Sequence, residues 1–291
     1  MEEKKISVVL PVYNGSEMVG KSIESVLDQT YKNIELIIVN DCSTDNTLDV
    51  IKEYGKKDNR IKILNNKTNL KLPRSLNEGF KNATGDYYTW TSDDNMYHSD
   101  ALYKLSKILD ENNDIDLVYS SYTVCDKNGK KIREIDNGNP NLIRLYNNIG
   151  ASFLYRKELA KKVGEYDPEL FLAEDYEFFL RCYEQSCGKL YYLKENLYDY
   201  TAHENNLTSK RMKEIRIITY KAKMKHFDFL YSKCNTKEER IEFLDNLINS
   251  LDYDEKVKAR NKLYSTYKYY MIYDIMRRIK NKIKRIFRIS D

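Results

Sequence analysis

The chain has 291 residues, 41% hydrophobic and 32% charged, which fits a soluble globular protein with room for one large α/β domain plus an appendage, or for two domains. No apolar run approaches the roughly 20 residues that span a bilayer, and MEEKKISVVL starts acidic and enters a strand-like run, so neither a transmembrane segment nor a signal peptide is expected. The net charge of +4 sits in the tail: the last 21 residues hold seven Lys and Arg against two Asp, residues 1–270 sum to −1, and basic charge confined to one terminal helix argues against nucleic acid as a partner.

In chain order, ISVVLPV (6–12) reads as a strand buried on both faces, ended by the turn YNG. Ser16 is a candidate cap for a helix carrying Val19, Ile23, Val26 and Leu27 on one face. IELIIV (34–39) is a second buried strand, followed by NDCSTDNT and a helix with Leu48, Val50 and Ile51. A third strand covers 61–64, a helix follows Pro73, and a fourth strand covers 86–91 and runs into Asp93 and Asp94. Ser99 then caps a helix with Leu102, Leu105, Ile108 and Leu109 inward. Alternating strands and helices predict a mostly parallel sheet covered on both faces, with ligands beyond the carboxyl ends of the strands. YNG, NDCSTD and TSDD all fall at those ends, so three separate clusters should converge on one crevice.

From 115 the pattern changes. DLVYSSYTV, KNGK and KIREI predict a hairpin with an Asn-Gly turn. GASFLY (150–155) is a further strand, a helix covers about 174–186, and mainly helices follow from about 209. The division expected is a first domain over 1–208, with a nucleotide-binding half to about 120 and an acceptor half over 121–208, then a helical region over 209–291. The five cysteines are scattered without zinc spacing and read as reduced thiols of a cytoplasmic protein.

The adjacent carboxylates Asp93 and Asp94 repel each other and call for a cation; hard oxygen ligands at a strand exit suit Mg²⁺ or Mn²⁺ with substrate phosphates. The competing reading is helix-start electrostatics. Asp45 reads as an ordinary cap, whereas Asp41 reads as a ligand contact. Asp175 opens a helix, where a carboxylate serves either the helix dipole or, facing the crevice, as a general base. His203 is one of three histidines, either structural or a ligand.

The runs SVVLPVYNG, SVLDQTYKNIELIIVNDCSTDNT, LPRSLNEGF, ATGDYYTWTSDDN and VGEYDPELFLAEDYEFFLRC, in that order, resemble the family 2 glycosyltransferases of GT-A fold over about residues 5–210. The resemblance implies an inverting transfer from a UDP-sugar or dTDP-sugar to a hydroxyl of a glycan, lipid-linked or protein-linked acceptor, in bacterial cell-surface polysaccharide or glycoconjugate synthesis. It implies that Pro11, Val12 and Tyr13 line the base pocket and that Asp41 bonds the base. Arg74, Asn77, Asp93 and Glu174 belong with the donor and sugar, Asp94 and His203 with Mn²⁺ or Mg²⁺, and Asp175 is the base. Asn40 and Thr91 stand where the family often has Asp, and Lys71 where it often has Gly. The missing acidic residues motivate a second reading, a nucleotide-sugar-binding or assembly module without turnover. The tail over 264–289 repeats apolar residues at helical spacing among basic ones: a membrane-surface helix, or one packed on its own domain or on a second subunit of a homo-oligomer.

Overall fold

The computed structural model describes residues 3–204, 206–249, 251 and 253–287. The chain divides into two compact units, residues 1–222 and 223–291. The first opens with β1 (Ile6–Val12), α1 (Val19–Leu27), β2 (Ile34–Asn40), α2 (Thr47–Lys57), β3 (Ile61–Asn65), α3 (Leu72–Lys81) and β4 (Tyr87–Trp90). It continues with β5 (Met96–Tyr97), α4 (Ala101–Glu111), β6 (Leu117–Cys125), β7 (Lys131–Ile135), β8 (Phe153–Arg156), α5 (Lys157–Val163), α6 (Glu174–Gln185), β9 (Leu190–Thr201), α7 (Leu207–Lys210) and most of α8 (Met212–Lys225).

The strands form one mixed sheet in the order β3-β2-β1-β4-β8-β6-β9-β5, with β7 on β6. β1 pairs in parallel with both β2 and β4, and β2 with β3. The chain therefore steps outward from β1 to β3 and returns across it to β4. That reversal opens a crevice at the carboxyl ends of β1 and β4, where α/β sheets bind ligands. Beyond β4 the sheet turns antiparallel through β8, and the hairpin of β6 and β7 forms as its Asn-Gly turn predicts.

The side chains of β1 alternate between two cores. Ile6, Val8, Leu10 and Val12 join Val19, Ile23 and Val26 of α1 and Leu102, Leu105 and Leu109 of α4 in one cluster. Val9 faces α3, whose Gly79 lies so close that a Cβ there would sit 2.3 Å from a Val9 methyl. Further along that face an aromatic layer follows, with Phe80 stacked on Tyr166 and Tyr166 on Phe178 at 4.2 Å. Each fully buried aliphatic side chain contributes about 1.5–3 kcal/mol, so a strand buried on both faces is anchored twice per dipeptide.

The expected caps Ser16 and Ser99 are corrected. α1 and α4 start after Met18 and Asp100, and neither cap position makes a side-chain cap bond. The amide of Gly15 is instead met by Thr47 Oγ1 and that of Ser16 by Asp45 Oδ2, from the neighbouring loop. The twelve-residue β9 and the short β5 were not legible in the sequence. All five cysteines are free thiols.

The second unit comprises the end of α8, then α9 (Phe227–Ser232), α10 (Lys237–Asn249), α11 (Tyr253–Thr266) and α12 (Lys268–Phe287). Phe243, Leu244, Leu247 and Ile248 of α10 and Tyr270 of α12 are buried. Asp274 is fully buried and paired with Arg277 at 2.5 Å and Arg260 at 3.1 Å. Such a group is expensive to leave unpaired, so the pairing fixes the register of α12. On the same helix Ile272, Tyr273, Ile275 and Met276 are exposed. The side chains of Ile279, Ile283 and Ile286, and of the basic residues from 280 onward, lie outside the described residues. Among the described residues no helix is long and apolar enough to cross a membrane.

Candidate active site

Four loops meet at the carboxyl ends of the strands. The loop after β1 is zipped to the loop after β2: Asn14 N donates to Ser43 Oγ at 3.0 Å, and Thr44 N to Asn14 Oδ1 at 2.8 Å. Asp45 accepts from Thr47 N, the first amide of α2, and from Ser16 N, while the cap position itself is Asn46. Gly15 brings in the loop after β4, because a Cβ there would lie 2.0 Å from Asp93 Oδ2. Only glycine permits that approach.

Pro11 and Val12 are buried, and the Val12 side chain belongs to the core, whereas Tyr13 stands half-exposed above them. The Asp41 carboxylate is buried and accepts three bonds from one loop: Asn66 Nδ2 at 2.9 Å, Leu70 N at 2.7 Å and Lys71 N at 2.9 Å. Lys71 sits at φ +71° and ψ 166°, a region that suits glycine and strains a residue with a side chain. Arg74 is exposed on the first turn of α3. Asn77 clips α3 to a later segment, its amide donating to Tyr166 O and accepting from Tyr166 N.

Asp94 is the centre of a second cluster. Its Oδ2 lies 2.9 Å from His203 Nε2 and accepts from Asn206 Nδ2 at 3.1 Å. Asn206 is held in turn by His203 N and by Thr201 O. Among the described residues the other oxygen, Oδ1, is buried without a hydrogen-bond partner. Burial raises the Asp94 carboxyl above the ordinary range, and the His203 bond opposes it. Burial, then the Asp94 charge, pushes Asp93 up to about 7.

The third cluster opens α6. Asp175 Oδ1 accepts from Tyr176 N at 2.7 Å, and Oδ2 from Asn147 Nδ2 at 2.9 Å. Glu174 is buried and accepts from Leu172 N, a residue at φ +87°. Burial raises both carboxyls; Glu174, beside the Asp175 charge, reaches about 8. Burial raises the phenol of Tyr200 on β9, and the charges of Asp94 and Asp175 add to it, so this ring is within electrostatic reach of both the second and the third cluster. Asn14, Asn66, Asn147 and Asn206 escaped the sequence reading, because an asparagine in a polar loop carries no pattern that separates a site from a turn.

Among the described residues no group of three or more His, Cys, Asp or Glu is placed to hold a metal. Mg²⁺ and Mn²⁺, however, commonly take one or two carboxylates and complete their shell with phosphates and water. A buried, unpartnered Asp94 Oδ1 beside Asp93 fits that economy.

The family model that matches this chain, over residues 7–172, is glycosyl transferase family 2. The chain belongs to that family. Uncharacterised glycosyltransferases are similar to it: one of Rickettsia bellii is 34% identical over 61% of this chain, and one of Methanocaldococcus jannaschii 29% over 81%. The chain spans 27% of the Rickettsia bellii protein and 83% of the Methanocaldococcus one. Two solved structures share the fold. The first is Staphylococcus aureus TarS 1-349 with UDP-GlcNAc, at TM-score 0.61 and 21% identity, covering 85% of this chain and 82% of that one. The second is the mannosyltransferase PcManGT of Pyrobaculum calidifontis with GDP-Man and Mn²⁺, at TM-score 0.60 and 14% identity, covering 100% and 89%. This family 2 chain thus has a GT-A fold.

Proposed function

We propose that this glycosyltransferase moves a sugar with inversion from a UDP-sugar, or a dTDP-sugar, to a hydroxyl of a glycan, lipid-linked or protein-linked acceptor in cell-surface polysaccharide or glycoconjugate synthesis. The observation that carries the reading is the division of labour at Asp94: one oxygen is held by His203 and Asn206, and the other is buried with no hydrogen-bond partner among the described residues. TarS with UDP-GlcNAc and PcManGT with Mn²⁺, two proteins of this fold, support a nucleotide-sugar donor and a divalent ion.

Asp94 Oδ1, with Asp93 beside it, would hold Mn²⁺ or Mg²⁺. The ion supplies a Lewis acid for charge on the departing diphosphate. Tyr13 offers an exposed ring for the nucleobase, and Asp41 offers its remaining lone pair to a base N–H while organising the 66–71 loop. Arg74 brings an exposed cation to the same end of the sheet. Glu174 holds the turn at Leu172 just before the base, a place that supports its part on the sugar side. Asp175 takes the proton of the acceptor hydroxyl. Its raised proton affinity makes it a better base near neutral pH than an ordinary aspartate. A single attack from the face opposite the leaving group inverts the anomeric carbon. The exposed apolar residues of α12 lead into the basic end of the chain, which supports an anionic membrane surface as a partner.

The test is a panel of UDP- and dTDP-sugars assayed for Mn²⁺-dependent hydrolysis and transfer. Asp94→Ala should abolish turnover. Asp175→Asn should lower it roughly 10²–10⁴-fold while leaving UDP binding intact. Full turnover by Asp175→Asn would overturn the base assignment, and nucleotide-sugar binding without any turnover would favour a binding module.

A further inference from the structure

The segment between β7 and β8 is irregular, yet it is closely tied down. Asn148 is fully buried, and its Nδ2 donates to Tyr119 Oη, Asn137 O and Asn139 O. Asn137, also buried, donates to Ser120 O and Ile149 O. Asparagine amides thus bind this loop to the β6 strand on both sides of residue 147. Asn147 itself stands partly open, and its Nδ2 reaches Asp175 Oδ2 at 2.9 Å across 28 positions of sequence. Its oxygen end faces the Gly150 N–H at 3.5 Å, so the donor end is the one turned to the carboxylate.

We infer that Asn147 is a positioning residue for the base: it holds the Asp175 carboxylate as an anion, with one oxygen pinned to the loop and a lone pair left for the acceptor hydroxyl. This rests on the reading of Asp175 as the base. Among the described residues the Asp175 charge acts on Glu174 of its own helix, Tyr122 of β6, Tyr166 before α6 and Tyr200 of β9. Each is an acid or a phenol, and none brings a positive charge. Among the described residues Asn147 is the one side chain that donates to this carboxylate, the backbone amides of Tyr176 and of Asp175 itself being the other donors. In a buried carboxylate each such donor opposes the cost of burial and favours the anion. The tie also has a geometric consequence. It joins the loop of 137–150 to the start of α6, so a shift of that loop would carry the Asp175 carboxylate with it.

The experiment is a titration of protein labelled with ¹³Cγ aspartate, the Asp175 signal being assigned by its loss in Asp175→Asn. Asn147→Ala removes the donor. Asn147→Asp keeps the size of the side chain, so the loop stays packed, and replaces the donor with an anion. Both should raise the Asp175 midpoint, Asn147→Ala by about one pH unit and Asn147→Asp by more. The acid limb of Mn²⁺-dependent hydrolysis of UDP-glucose, UDP-galactose or UDP-N-acetylglucosamine should move with it, with the rate of Asn147→Ala recovering at high pH. An unmoved midpoint in both variants would overturn the proposal, as would a rate loss equal at every pH. Full activity of Asp175→Asn would instead remove the base reading, and the proposal with it.

Discussion

His203 Nε2 lies 2.9 Å from Asp94 Oδ2, a contact between residues 109 positions apart that closes the end of β9 over the exit of β4. Asn206 adds a second donor to the same oxygen. Groups that orient a metal-binding carboxylate are worth about 10–100-fold in metal affinity. Asn206→Ala is therefore expected to weaken Mn²⁺ binding in the presence of UDP by that factor, read by electron paramagnetic resonance. His203→Ala should fall in the same range if His203 only orients Asp94, and well beyond it if His203 itself ligates the ion. Unchanged affinity in both variants would mean that Asp94 does not hold the metal.

Lys71 occupies backbone space that favours glycine, at φ +71° and ψ 166°. Its amide is nonetheless fixed by Asp41 Oδ2 at 2.9 Å, so the strain is maintained by the fold. Lys71→Gly should stabilise the protein by about 1–2 kcal/mol, as strain of this kind costs of order 1–3 kcal/mol and glycine returns part of it as chain entropy. Chemical denaturation measures the gain. A loss of stability would mean that the Lys71 side chain makes an interaction outweighing the strain.

Glu174 governs a pH dependence of stability. Its carboxyl is raised from 4.5 to about 8, so the folded chain holds this proton more tightly than the unfolded chain. The contribution favours folding fully below about pH 4.5 and is lost as pH rises through about 8. Glu174→Gln keeps an oxygen for Leu172 N and removes the charge. Its melting temperature should exceed that of the wild type by an amount that grows from pH 5 to pH 8. A difference independent of pH would contradict the burial of this carboxyl.

The α12 helix exposes Ile272, Ile275 and Met276 on successive turns, leading into the basic end of the chain. Sedimentation with vesicles containing phosphatidylserine should bring the protein down at low salt and release it as salt rises. Vesicles of phosphatidylcholine alone should leave it in solution. Equal behaviour with both would remove the membrane surface as a partner.

Much of the fold was legible because its signals are local. Apolar runs such as ISVVLPV and IELIIV are buried on both faces, and the Asn-Gly turn between β6 and β7 needs no distant partner. The acidic ends of the strands were legible for the same reason: a parallel sheet sends the ends of β1, β2 and β4 to one edge. β9 was hidden by its pairing. Its register on β6 slips between Leu193 and Asn196, so Lys194 and Glu195 interrupt the period of two that marks a strand.

The sequence by itself determined the βα alternation, the carboxylates at the strand ends and the family, since each is written in periodicity, composition or consecutive motifs. Only the tertiary structure decided which oxygen of Asp94 is left without a hydrogen bond among the described residues, that Asn77 serves Tyr166, and that Asn147 meets Asp175. Those outcomes depend on where distant loops arrive, and an amide side chain reveals its partner only once the chain has closed around it.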